Sequence, residues 1–158
     1  MPSNAELDQP FFFYLDGRRV DAQISADESL FSLLRRLRKY SVKSGCSSSC
    51  CGLCTVLVEG EARLSCSIPA HRIHGLEVRT LEGERDEASR FARLLAAEGG
   101  EQCGFCSPGF ILSVVALKRQ QPNANDSEIK ARLSGNLCRC TGYQSQMRAI
   151  RHYLDMKE

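Results

Sequence analysis

The sequence predicts an α+β chain: a small sheet with one helix, followed by four short helices. Three observations carry this. Residues 11–80 hold short apolar, β-branched and aromatic runs separated by Asp-Gly and Glu-Gly turn signals. From Ala88 onward, apolar residues instead recur at helical spacing. Between the two lies a polar stretch, Glu82 to Asp86, which reads as a linker.

Phe11 to Leu15 is aromatic-rich strand material, and Asp16-Gly17 is a hairpin turn. Val20, Ala22 and Ile24 alternate on the return strand. Leu30, Leu33, Leu34 and Leu37 then form a helical stripe that belongs in a core, with Ser25 or Asp27 expected as its cap. A Ser-, Gly- and Cys-rich loop follows, from Lys43 to Cys54. Thr55 to Val58, a Glu59-Gly60 turn, and Ala62 to Cys66 make a second hairpin, and Leu76 to Thr80 a last strand.

In the second half, Ala88, Phe91, Ala92 and Leu95 mark a helix stopped by Gly99-Gly100. Ser107 is expected to cap the next helix, with Pro108 in its first turn and Phe110, Leu112, Val115 and Leu117 along it. Asn125 to Glu128 resembles a capping box opening a third helix that ends by Gly135. Tyr143, Met147, Ile150 and Leu154 mark a fourth, with Thr141 near its start. Four short helices with short connections predict a compact bundle.

Charge is nearly balanced, with 21 Lys and Arg against 19 Asp and Glu. Nothing here calls for nucleic acid or an anionic membrane surface as partner. The longest apolar runs, Phe11 to Leu15 and Gly109 to Leu117, fall well short of the ~20 residues of a membrane-spanning helix. The first ten residues are polar and lack the pattern of an export signal, so a cytoplasmic protein is expected.

Nine cysteines are the unusual feature. An odd count in a reducing compartment argues against disulfides and for metal. Cys46, Cys51 and Cys54 stand at C-x4-C-x2-C, with Cys66 following, which is the plant-type spacing for a 2Fe–2S cluster. A cluster with bridging sulfides is anionic, and a Ser/Gly-rich loop can turn several backbone N–H groups toward it. The second set is Cys103 and Cys106, then Cys138 and Cys140, each pair just before a predicted helix. Helix N-termini offer free N–H groups and partial positive charge to an anion.

Zinc is the competing reading, because C-x2-C pairs are common zinc half-sites. Three thiols within nine residues and a tight C-x-C pair fit iron–sulfur better. A Rieske centre would need two histidines, and His71, His74 and His152 stand in no suitable motif. They are expected to be exposed or locally satisfied. Cys50, beside Cys51, is expected to be a bystander.

These residues resemble a known family. The stretch from Lys43-Ser44-Gly45-Cys46 through Cys51-Gly52-Leu53-Cys54 to Leu57, then Ser65-Cys66, is similar to the N-terminal domain of the molybdenum hydroxylases. Gln102 to Gly109 and Gly135 to Tyr143 are similar to that family's helical domain. This is the superfamily of xanthine dehydrogenase, aldehyde oxidoreductase and carbon monoxide dehydrogenase. The resemblance implies a β-grasp ferredoxin-like domain over 10–82 and a four-helix bundle over 87–156. It implies two 2Fe–2S clusters, held by Cys46, Cys51, Cys54 and Cys66 and by Cys103, Cys106, Cys138 and Cys140.

It further implies an iron–sulfur subunit of an oxidoreductase complex, with no substrate chemistry on this chain. Electrons would pass from a molybdenum–pterin cofactor on a large subunit through both clusters toward FAD, on a medium subunit, or an external acceptor. Gln102 and Cys140 would contact the pterin. Xanthine or another N-heterocycle is the expected substrate class, and a free-standing ferredoxin-like carrier is the alternative.

The sequence departs from the family at five places, one of them the harmless Ser107-Pro108-Gly109 in place of Thr-Pro-Gly. Ser49 stands where glycine is usual, Cys50 where an acidic residue is frequent, and Leu53 where alanine is usual. The segment from Gly83 to Phe91 is short and lacks the family's glutamine.

Overall fold

The structure is a computed structural model that describes residues 11–156. The expectation about the polar N-terminal ten residues lies outside the described residues.

Five short strands form one sheet. β1 (Phe12–Leu15) and β2 (Arg18–Asp21) make the first hairpin, and β3 (Thr55–Val58) and β4 (Glu61–Leu64) the second. β5 (Glu77–Arg79) joins them, giving the order β2-β1-β5-β3-β4. It runs parallel to β1, pairing Tyr14 with Glu77, and antiparallel to β3, pairing Val58 with Val78. The return strand is shorter than the alternation predicts. It ends at Asp21, with Ala22 N–H still bonded to the Phe11 carbonyl.

The helix α1 (Leu30–Arg36) lays Leu30, Leu33 and Leu34 on the sheet beside Phe13, Val56 and Val78. The expected cap is corrected: it is Ser29, whose hydroxyl accepts from the Ser32 N–H at 3.2 Å. Ser25 and Asp27 lie too far upstream, because the helix begins at Leu30 itself.

The second half contains α2 (Arg85–Ala97), α3 (Ser107–Gln120), α4 (Asp126–Leu133) and α5 (Gln144–Asp155) around one core. Phe91, Leu95, Phe110, Ile129, Ile150 and Tyr153 fill it. α3 is central and apolar on nearly every side, as a helix surrounded by neighbours must be. Ser107 does not cap it. Cys106 takes the cap position, and Ser107 is the first helical residue, its hydroxyl donating to Glu101 Oε1 at 2.8 Å. The Asn125–Glu128 capping box on α4 is present with both reciprocal bonds.

A third small cluster, Leu57 with Leu112 and Ala116, packs α3 directly against β3. The linker is correspondingly shorter than predicted. α2 starts at Arg85, and Glu84 just before it is buried at 5% exposure, held by Arg119 at 2.6 and 3.2 Å and by Arg79 at 3.5 Å. A polar stretch looks like a linker in sequence because its partners arrive from β5 and α3.

Candidate metal centres

The loop between α1 and β3 carries the first three cysteines. Cys51 and Cys54 are buried, Cys46 is half-buried, and Cys66 arrives on a short 3₁₀ turn just after β4. Buried hydroxyls fix this loop from behind. Thr55 donates to the Gly52 carbonyl at 2.7 Å, and Ser65 donates to the Cys54 carbonyl at 2.7 Å.

The thiols associate two and two. The Cys46 thiol lies near that of Cys51, and the Cys54 thiol near that of Cys66. Backbone N–H groups of Cys50, Cys51 and Ser48, together with the Cys51 side chain, hold the Cys46 thiol down to about 6. These are inward-facing donors of the kind an anionic group needs. Burial does the opposite at Cys54, pushing it up to about 11. Cys50 is exposed, and its sulfur sits 3.2 Å from the Ser48 hydroxyl, turned to Ser48 while Cys51 meets Cys46.

Ser49 adopts φ +53, the left-handed conformation that its glycine-like position implies. Its hydroxyl lies 3.3 Å from the Cys66 sulfur, so the middle of the loop reaches the second thiol pair. Leu53, the other departure, is buried and lies over Gly45, where a Cβ would stand 2.2 Å from Leu53 Cδ1.

The second set pairs Cys103 with Cys140, sulfurs 3.7 Å apart, and Cys106 with Cys138. Cys106 also senses Cys103, and Cys140 senses Cys138, so the four thiols share one neighbourhood. Burial and the adjacent Cys138 push Cys106 up to about 12. Cys138 itself is partly buried, which works against ionisation. The Thr141 hydroxyl, 3.1 Å from its sulfur, and the N–H groups of Cys140 and Thr141 nevertheless bring it below its ordinary value.

Cys106 caps α3, and Cys138 and Cys140 lie in the turn leading to α5. Tyr143, at φ +67, clamps that turn: its hydroxyl accepts from the Cys138 N–H at 2.7 Å. Gln102 is exposed beside Cys103. Among the described residues, no three His, Cys, Asp or Glu side chains form a single-ion site. The two-and-two pairing suits a binuclear centre, where each iron takes two thiolates, and the donor set is all-sulfur.

The histidines lie elsewhere. His74 accepts from the Phe12 N–H at 3.4 Å and packs on its ring, His152 lies 3.0 Å from Glu98, and His71 is exposed.

Sequence reasoning missed what joins the two sites. The Leu137 N–H, one residue before Cys138, donates to the Cys51 carbonyl at 3.0 Å. Gly109 on α3 lies so close to the first loop that a Cβ there would stand 2.2 Å from the Gly52 carbonyl oxygen. Lys43 Nζ reaches the carbonyls of Gly104 and Phe105 at 3.4 and 3.2 Å and lies over the Phe105 ring. The Gly52 and Gly109 identities were the available signal; no pattern within either half could give the pairing.

Residues 13–96 match the model of a 2Fe-2S iron-sulfur cluster binding domain, and residues 80–151 that of a [2Fe-2S] binding domain. The chain therefore carries two 2Fe–2S-binding domains. It is 46% identical over 119 residues to the xanthine dehydrogenase iron-sulfur-binding subunit of Escherichia coli O157:H7, covering 73% of this chain and 75% of that one. It is 38% identical over 138 residues to the nicotine 6-hydroxylase small subunit of Paenarthrobacter nicotinovorans, covering 86% and 84%. Aldehyde oxidase 1 of Cavia porcellus is 37% identical over 148 residues, but the match spans only 11% of that protein's length. Among solved structures, quinoline 2-oxidoreductase from Pseudomonas putida 86 superposes with a TM-score of 0.81 at 28% identity, over 90% of each chain.

Proposed function

The chain belongs to the 2Fe–2S iron–sulfur family of the molybdenum hydroxylases, and on that premise we propose that it is the electron-relay subunit of such a complex. Cys46, Cys51, Cys54 and Cys66 hold one cluster, and Cys103, Cys106, Cys138 and Cys140 the other. A bound 2Fe–2S cluster supplies one-electron transfer. The protein's own part is to hold the two thiol sets at fixed separation and to connect them.

The hydrogen bond from Leu137 N–H to the Cys51 carbonyl is the observation that carries this reading. It joins a residue adjacent to Cys138 with a ligand of the first set, so one hydrogen bond completes a covalent path between sulfurs. A structural metal site has no need of such a link to a second one.

We divide the chain into domains at 10–82 and 87–156, a division supported by the two separate cores. We read the first as a β-grasp unit and the second as a four-helix bundle. Electrons arrive at the second set from a molybdenum–pterin cofactor on a large subunit. Exposed Phe105 and Leu137, at 49% and 51%, flank that set together with Tyr143 and Gln102, and an apolar collar of this kind suits a docking face. Gln102 and Cys140 contact the pterin there.

The first set delivers electrons to an FAD subunit or an external acceptor. We read the complex as cytoplasmic from its sequence. Separately, no helix among the described residues is long and apolar enough to cross a membrane. The names of the xanthine, nicotine and quinoline relatives favour an N-heterocycle as substrate.

The test is purification of the chain from its host. We expect a complex containing a molybdenum subunit, with four irons and four labile sulfides per copy of this chain from two clusters. Adding the N-heterocyclic substrate should bleach both clusters. A chain that purifies alone, with clusters that no such substrate reduces, is a free-standing carrier.

A further inference from the structure

Ser49 is held at φ +53 inside the Cys46–Cys51 loop, a conformation that glycine adopts more easily. This backbone turns its hydroxyl toward Cys66, 17 residues onward, to 3.3 Å from the sulfur. The contact crosses between the two thiol pairs of the first set, whereas the neighbouring Ser48 hydroxyl is engaged with Cys50.

We propose that Ser49 is a tuning residue, whose hydroxyl donates a hydrogen bond to the Cys66 sulfur and raises the reduction potential of the first-domain cluster. The proposal rests on the reading of Cys66 as an iron ligand. With a free thiol, the Cys66 S–H donates to Ser49 Oγ. A sulfur bound to iron carries no proton, so the only hydrogen left to occupy this contact is the one on Ser49. The donor and acceptor exchange roles when the cluster is present.

The direction follows from charge. One-electron reduction adds a negative charge to a centre that is already anionic, and part of it resides on the ligand sulfurs. An O–H dipole pointing at sulfur stabilises the reduced form more than the oxidised one. Cys66 is the more accessible partner of buried Cys54, so the bond lies on the side of the site that approaches solvent.

The experiment uses the intact complex, with Ser49→Ala and Ser49→Gly variants titrated with dithionite and followed by EPR. Alanine keeps the Cβ at positive φ and removes only the hydroxyl; glycine removes the hydroxyl and the strain together. Both variants should shift the first-domain midpoint to a more negative value by the same amount, leaving the second cluster's midpoint unmoved. Both should also lose one exchangeable-proton hyperfine coupling. An unmoved midpoint in Ser49→Ala overturns the proposal, as does a shift confined to Ser49→Gly, which marks strain. Cys66→Ser separates the premise: an unaltered first-domain EPR signal in that variant removes Cys66 from the ligand set and takes the tuning role with it.

Discussion

Gly109 on α3 faces Gly52 in the first cysteine loop, and the space between them is too small for a single methyl group. A Cβ on Gly109 would stand 2.2 Å from the Gly52 carbonyl oxygen and 3.4 Å from Leu53 Cα. The obstacles are backbone atoms, which cannot rotate away as a side chain tip can. The same loop segment accepts the Leu137 N–H through Cys51, so the registry of the two thiol sets depends on this contact.

Gly109→Ala is therefore expected to destabilise the chain by about 1–3 kcal/mol, the usual cost of overpacking a filled core. Thermal unfolding measures it. Electron passage between the clusters should slow as well, because the loop must retreat from Leu137. An unchanged unfolding midpoint would show that the helix can shift along the sheet at no cost.

Cys50 and Cys51 separate the ligand assignment. Cys51 is buried beside Cys46, while Cys50 is exposed against Ser48. Cys50→Ser should retain four irons per chain, and Cys51→Ser should lose the first-domain cluster or change its EPR signal. Iron and labile-sulfide analysis of the two variants decides it, and the reverse pattern would shift the ligand register by one residue.

Gln102 tests the docking face. It is exposed beside Cys103, and its amide both donates and accepts. Gln102→Leu keeps the approximate size and, on the proposed pterin contact, would leave a pterin group without its partner, at about 1–3 kcal/mol. Both clusters should assemble normally, while stopped-flow bleaching by substrate slows and the large subunit dissociates more readily. Wild-type bleaching rate in an equally tight complex would remove Gln102 from the pterin contact.

Glu84 tests the junction between the halves. Its carboxylate is buried, and Arg119 and Arg79 reach it from α3 and β5. Glu84→Gln should cost about 1–2 kcal/mol in chemical denaturation, the lower end for charged hydrogen bonds because both arginines are partly exposed. Adding Arg119→Met to that variant should cost less than the two single changes summed, since the partners act together. Strict additivity would mean that Glu84 is anchored by something other than Arg119.

The sequence by itself determined the elements that local chemistry dictates. The Leu30-Leu33-Leu34 stripe and the Asn125–Glu128 capping box depend on residues within a few positions of one another, and each stands in the structure as read. The caps that were misassigned, Ser29 and Cys106, lie within a turn of the residues chosen instead. Several small polar side chains compete there, and the packing of the helix decides where its first turn begins.

Tertiary structure alone decided the rest. The Cys106–Cys138 and Cys103–Cys140 proximities, the Leu137–Cys51 bond, the reach of Ser49 to Cys66 and the Glu84–Arg119 pair all join segments well separated in the chain. The Leu137–Cys51 bond and the Glu84–Arg119 pair exist only once α3 has packed on β3 through Leu57, Leu112 and Ala116. Each half encodes its own thiol loop, but the distance between the two loops is a property of that interface.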